Sequence, residues 1–254
     1  MEWKLRPARD HGMPARERLA SPLRERGLGG LAVNAAWRRT IRAYLATAHR
    51  LRVTGRENLP ATGPFVMIAN HSSHLDALAL TSLLRGAPAR RVYALAAADT
   101  FFTDVWGSAF AAYAINALPV ARQGSGRTGL RTMRERLIQD GFVYVIFPEG
   151  TRTRTGAMAP FKAGIGMLVA GTDVPIVPCW IEGTFAAWPA TAKLPRAKPV
   201  TVTIGPALHF ADVRNDAAGW SSAAASCEAA VRALEPRKPP HPCACTIHNE
   251  IDGT

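Results

Sequence analysis

A histidine and an aspartate five positions apart, His71 and Asp76, bracket the segment Asn70-His71-Ser72-Ser73-His74-Leu75-Asp76, which follows directly on an apolar run. A carboxylate bonded to one imidazole nitrogen fixes the ring tautomer and leaves the other nitrogen as a base. On a regular helix that spacing corresponds to about 140° of rotation, which would turn the two side chains apart. Meeting therefore requires His71 at a strand–helix junction and Asp76 in the first turns of the helix, with Ser72 or Ser73 as its cap. The competing use of Asp76 is to cap or solvate its own helix, leaving His71 an ordinary loop residue. His71 and His74 also form a His-x-x-His spacing that suits a metal. A third ligand is lacking nearby, and two serines are poor company for a transition metal, so no metal is expected.

A second group of candidates is Phe147-Pro148-Glu149-Gly150-Thr151-Arg152, again straight after an apolar run. Loops at the ends of parallel strands are where α/β proteins bind ligands. Gly150 allows close backbone approach, Arg152 offers a planar fork that matches a phosphate, and Thr151 adds a hydroxyl. Glu149 suits either of two roles, ordering the loop or binding a substrate hydroxyl. Lys162, in Phe161-Lys162-Ala163-Gly164, supplies another cation, and Arg122, at the end of Leu118-Pro119-Val120-Ala121-Arg122, would complement Arg152. Cys179 reads as a buried filler rather than a nucleophile.

The elements that must position these residues follow from the hydrophobic pattern. Strands are expected over 65–69, 91–97, 117–121, 142–147, 174–181 and 200–204, and helices over 75–84, 100–113, 128–139, 162–170 and 217–234. Two prolines, Pro175 and Pro178, assign the strand over 174–181 to an edge or a bulged position. The alternation implies a single α/β layered domain with a largely parallel central sheet flanked by helices. Ahead of it, Trp37, Ile41, Tyr44, Leu45 and Ala48 share one face of a helix over 31–51, and Arg38, Arg39, Arg42 and Arg50 another. That basic amphipathic helix suits either a bilayer interface or a cover for the core. Residues 1–28, broken by Pro7, Pro14 and Pro22, read as a flexible basic arm, and the proline-rich segment 236–254 as a disordered tail.

At 254 residues and 48% hydrophobic content the chain can bury one full core. A formal net charge of +12 fits nucleic acid, an anionic membrane surface or a phosphorylated substrate, although arginine-rich composition alone could produce it. No basic stretch is interleaved with aromatics, so nucleic acid is not expected. The long uncharged stretch 105–121 contains Gly107, Ser108, Asn116 and Pro119 and makes a poor membrane span. The first residues lack the apolar core of a signal peptide. Four cysteines, Cys179, Cys227, Cys243 and Cys245, suggest no disulfide framework, and with His241 and His248 the last two match no regular zinc module. A peripheral position on the cytoplasmic face of a membrane is the expected setting.

The order of these segments resembles the glycerolipid acyltransferases typified by the lysophosphatidate acyltransferases. Asn70, His71 and Asp76 meet the first motif of that family. Residues 115–122 loosely meet the second, without its usual glycine and aspartate. Phe147 to Arg152 meet the third, with Thr153 in place of serine, and Val174 to Pro178 the fourth. The likeness covers roughly residues 50–210. It implies an acyltransferase domain over 29–235 with a catalytic core over about 52–210. It also implies O-acyl transfer from acyl-CoA or an acyl carrier protein to a lysophospholipid hydroxyl, most simply lysophosphatidate, without a cofactor. His71 inherits the role of general base and Asp76 that of its orienter. Arg122, Glu149, Gly150, Thr151, Arg152 and Lys162 look like acceptor contacts. Backbone N–H groups near Gly150 are candidates for stabilising the oxyanion. Transfer to a lyso-aminolipid or glycolipid is the alternative, with a non-catalytic basic lipid-binding protein behind it.

Overall fold

The computed structural model describes residues 8–19, 21–25, 27–97, 105–120 and 126–236. Seven strands form one sheet: β1 (Arg52–Thr54), β2 (Phe65–Ala69), β3 (Val92–Ala97), β4 (Ala117–Val120), β5 (Val143–Ile146), β6 (Ile176–Glu182) and β7 (Thr201–Ile204), in the order β1-β7-β6-β2-β5-β3-β4. All neighbouring pairs are parallel except β6 and β7, so β1 and β7 run against the other five.

Strand β2 shows why the sheet is central. All five of its residues are buried, as expected of a parallel strand covered on both faces. Its side chains alternate between two apolar layers. Phe65, Met67 and Ala69 pack with Leu75, Leu80 and Leu83 of α3 (Leu75–Leu83) and with Ile41 and Leu45 of α2 (Leu28–Ala48), the helix that follows the short α1 (Ala15–Leu19). Val66 and Ile68 pack on the opposite face. Their neighbours there are Met133 and Leu137 from the helix Gly126–Gln139, Ile165 and Leu168 from Gly164–Val169, and Cys227 and Val231 from Ala217–Ala233. The last two helices touch at Gly166, where a Cβ would stand 2.1 Å from the carbonyl oxygen of Trp220. Cys179 is fully buried in the first layer.

Two expectations are corrected by the packing. The strand with two prolines is interior, lying between β7 and β2. Pro178 is tolerated because its missing donor faces the irregular turn after β7, where Gly205 donates back to the Pro178 carbonyl at 2.8 Å. The described part of the N-terminal arm is not loose. Arg24 is buried and donates to Asn116 Oδ1 at 3.2 Å and to the Ala117 carbonyl at 2.9 Å. Arg136, 1% exposed, donates to the carbonyls of Pro22 and Arg24 and stacks over Phe142.

For α2 the packing meets one of the two uses left open, a cover for the core. Its Ile41 and Leu45 are buried and its Trp37 and Tyr44 pack against the core, so the helix covers the sheet. Two of the four arginines assigned to a basic face are committed internally. Arg38 donates to the carbonyls of Leu84 and Ala89, and Arg42 to those of Ser82 and Leu84. They satisfy the open carbonyl end of α3. Arg50 lies beyond the end of the helix. Among the described residues no helix is long and apolar enough to cross a membrane. The chain from Arg237 onward, with Cys243, Cys245, His241 and His248, lies outside the described residues.

Candidate active site

The C-terminal ends of β2, β5 and β6 lie on the same edge of the sheet, and each contributes to one site. After β2, Asn70 acts as a backbone mimic. Its amide donates to the Ile181 carbonyl at 2.9 Å, and its side-chain oxygen accepts from the Ile181 N–H at 2.8 Å. This pair joins the end of β2 to β6 and fixes where the chain leaves the sheet. The sequence carried no physical signal for this beyond the motif itself.

His71 follows in the junction and Asp76 in the first turn of α3, as their spacing requires. Nδ1 of His71 is 2.9 Å from Oδ2 of Asp76. The same oxygen accepts the backbone N–H groups of Ser72 and Ser73 at 2.7 and 2.8 Å. Asp76 is wholly buried, and among the described residues its other oxygen, Oδ1, has no partner. Ser73 Oγ accepts from the N–H of Leu75 at 3.1 Å while donating to the Trp188 carbonyl at 2.6 Å, but the N-cap position is His74, whose side chain makes no capping bond. Because a carboxylate only accepts, Nδ1 carries the proton and Nε2 is the basic nitrogen. The imidazole lies flat against Phe147, with ring centroids 4.0 Å apart and an interplanar angle of 14°. Phe147 thus holds the ring from the second loop, a role the sequence reading did not assign to it.

Glu149 takes the first of its two expected roles. It is 3% exposed. One oxygen accepts from the His71 N–H at 2.6 Å and the other from the Ala159 N–H at 2.7 Å. The Thr153 N–H in turn donates to the His71 carbonyl at 2.9 Å. Burial pushes the Glu149 carboxyl above its ordinary range, opposed by those two N–H groups. Both of its oxygens are thus engaged within the protein, which is the loop-ordering role: it ties the loop after β2 to the loop after β5.

Gly150 has φ +73°, a left-handed conformation that glycine adopts without strain. The Lys162 side chain crosses over it, and a Cβ there would stand 2.7 Å from Nζ. The Gly150 N–H donates to the Phe147 carbonyl at 3.0 Å, so it is committed and is not an oxyanion donor. Thr151, Arg152 and Lys162 line the same cavity as His71. Arg122 lies outside the described residues.

That cavity has a volume of about 770 Å³. Its polar lining includes His71, Ser73, His74, Thr151, Arg152 and Lys162, with Tyr44 from α2. Most of the other walls are apolar, among them Trp37 and Ile41 from α2, Leu78 from α3, Leu95 from β3, and Leu130, Ile146 and Leu168. The arrangement couples a base, two cations and an apolar enclosure. It suits deprotonation of a hydroxyl on a molecule with one anionic and one hydrocarbon part. The two histidines do not share a ligand position, since His71 Nδ1 is bonded to Asp76 and His74 contacts Arg152. Among the described residues no group of three or more His, Cys, Asp or Glu is placed to hold a metal ion.

Comparison with known proteins matches residues 50–182 to the family described as Acyltransferase. The human 1-acyl-sn-glycerol-3-phosphate acyltransferase alpha is 30% identical over 129 residues, 51% of this chain and 44% of that protein. The 1-acyl-sn-glycerol-3-phosphate acyltransferase of Bacillus subtilis is 29% identical over 173 residues, 68% of this chain and 80% of the relative. The chain thus spans less than half the length of the human relative. Among solved structures, the 1-acyl-sn-glycerophosphate (LPA) acyltransferase PlsC from Thermotoga maritima superposes with a TM-score of 0.62. It is 22% identical and covers 81% of this chain and 78% of its own, a likeness of fold.

Proposed function

Since the chain belongs to the acyltransferase family, we propose that it transfers an acyl group from a thioester to the free hydroxyl of a lysophospholipid, with lysophosphatidate the acceptor that fits best. The observation that carries this reading is the His71–Asp76 pair, 2.9 Å apart, opening on a cavity that is cationic at Arg152 and Lys162 and otherwise largely apolar. The names of the human and Bacillus relatives support the same acceptor class.

In this mechanism His71 Nε2 takes the acceptor's hydroxyl proton as the oxygen attacks the thioester carbonyl carbon. Asp76 stabilises the imidazolium that forms. Collapse of the tetrahedral intermediate re-forms the carbonyl, breaks the C–S bond and expels the thiolate, which recovers the proton from His71. The thioester is already activated, so no covalent enzyme intermediate is needed. Arg152 and Lys162 bind the acceptor phosphate, Arg152 by its fork and Lys162 as a point charge. The apolar walls take hydrocarbon.

Acyl-CoA or an acyl carrier protein serves as donor, since both present anionic groups to a chain of net charge +12. The protein works from a membrane surface. Leu28, Val33, Phe110 and Tyr113 are exposed large apolar side chains on α2 and on the helix that packs against it, and Phe110 also lines the cavity. Such a surface favours contact with lipid near the cavity. The test is transfer of a labelled acyl group, from CoA and from carrier protein, to lysophosphatidate, to lysolipids with other headgroups and to monoacylglycerol. Preference for lysophosphatidate that Arg152→Ala abolishes is expected. Equal loss on monoacylglycerol would refute phosphate recognition by Arg152.

A further inference from the structure

The helix Ala217–Ala233 lies beyond the region matched to the family, residues 50–182, yet it holds the segment that leads into Lys162. Its Glu228 accepts the Phe161 N–H at Oε2, 2.8 Å away, and the Arg232 Nε–H at Oε1, 2.9 Å away. Arg232 Nη2 donates in turn to the Met158 carbonyl at 3.2 Å. The run Met158-Ala159-Pro160-Phe161 is thus tied at both ends to one helix. Between those ends the Ala159 N–H donates to Glu149. Just after them the Lys162 N–H donates to the Pro148 carbonyl at 3.0 Å. The helix has a firm seat of its own, since Trp220 lies against Gly166 and Cys227 and Val231 are buried. The Phe161 N–H holds the Glu228 carboxyl below its ordinary range, with burial opposing and Arg232 adding to the effect. At pH 7 it is a carboxylate, which only accepts.

We propose that Glu228 is a positioning residue for acceptor recognition: by anchoring the Phe161 N–H it fixes the backbone that carries Lys162 and so keeps the lysine side chain crossed over Gly150, in the lining of the cavity. This rests on the reading of Lys162 as a phosphate contact. A lysine stem has four rotatable carbons, so the reach of its ammonium is limited chiefly by where its backbone is held. Two bonds hold it there, Phe161 N–H to Glu228 and Lys162 N–H to the Pro148 carbonyl. The effect of losing the first cannot exceed that of losing Lys162 itself, up to about fivefold in binding for one solvent-screened charge contact. The charge of Glu228 acts in the opposite sense, because removing a carboxylate leaves the chain more positive and favours an anionic acceptor. A weaker acceptor affinity therefore reports placement, and a stronger one reports the field alone.

The test compares Glu228→Ala, which takes the acceptor from the Phe161 N–H, with Glu228→Gln, whose amide oxygen replaces it without the charge. For Glu228→Ala, the KM for lysophosphatidate should rise about threefold. Its kcat and its rate on monoacylglycerol should change far less, because Ala159 keeps its bond to Glu149. Glu228→Gln should retain a near-native KM. In a Lys162→Ala background the KM effect of Glu228→Ala should vanish. A KM that holds or falls in Glu228→Ala, while Lys162→Ala alone raises it, would overturn the role of Glu228 and leave Lys162 as phosphate contact. A rise that survives Lys162→Ala would overturn it as well. If Lys162→Ala does not move the KM, both readings fall. Amide hydrogen exchange covers the case in which Glu228→Ala does not fold. In the native protein the Phe161 N–H should be protected, and exchange at the rate of a free amide would refute the anchor.

Discussion

Replacing Gly150 with alanine should separate two costs that the structure places on one residue. The first is conformational, because at φ +73° an L-residue pays about 1–2 kcal/mol. The second is steric. The new methyl would stand 2.7 Å from Lys162 Nζ, 3.1 Å from Cε and 3.2 Å from Cδ. The lysine stem is flexible and exposed, so it moves aside at little cost to folding, but its ammonium then leaves the polar part of the cavity. Gly150→Ala should therefore lose about 1–2 kcal/mol, read as a lower urea midpoint at unchanged slope. Its KM for lysophosphatidate should rise up to about fivefold, the scale of one solvent-screened charge contact. A cycle with Lys162→Ala sharpens the claim. The stability loss should persist when Lys162 is absent, because it belongs to the backbone. The KM effect should vanish, because the lysine is already gone. A stability loss that disappears with Lys162→Ala, or a KM effect that survives it, would refute this division.

Other perturbations test the supports of the site. Asn70→Ala removes both bonds to Ile181 and should cost about 2–3 kcal/mol in urea unfolding, with kcat falling as the His71 junction loosens. Burial raises the Glu149 carboxyl above its unfolded value near 4.5. Its contribution to stability is thus greatest below pH 4.5 and is lost as pH rises through the folded value. The stability of the native protein relative to Glu149→Gln should accordingly decline from pH 4 to pH 7, and a difference that grows with pH would contradict the sign. Arg38→Met removes the guanidinium that serves the Leu84 and Ala89 carbonyls and should cost about 1–3 kcal/mol. The exposed Arg39→Gln should leave the midpoint unchanged, and equal losses would count against a capping role for Arg38.

Much of the architecture could be read from the chain because it rests on local pattern. Continuous apolar runs marked β2 and β5 as doubly covered strands, and the five-residue spacing forced His71 and Asp76 across a strand–helix junction. The three-residue strand β1 was too short to leave a periodic trace, and the helix Gly86–Arg91 was hidden by its glycine and proline. What escaped depends on long-range hydrogen bonds. Whether Arg24, Arg38, Arg42 and Arg136 face lipid or cap buried carbonyls is decided by partners distant in sequence, so a helical wheel counts them as surface charge. Part of the net charge of +12 is thereby structural rather than offered to a partner. Glu149 carried the same ambiguity. Its carboxylate suited a substrate, and only the placement of the His71 and Ala159 N–H groups beside it shows what it binds.

The central claim is that His71, oriented by Asp76, is the base that activates the acceptor hydroxyl. The direct measurement is turnover of labelled acyl-thioester with lysophosphatidate in the native protein and in His71→Ala, with folding verified by urea unfolding. The account predicts a fall in kcat of about 10²–10⁴-fold at near-native stability and little-changed acceptor binding. Turnover retained within a few-fold by folded His71→Ala would contradict it.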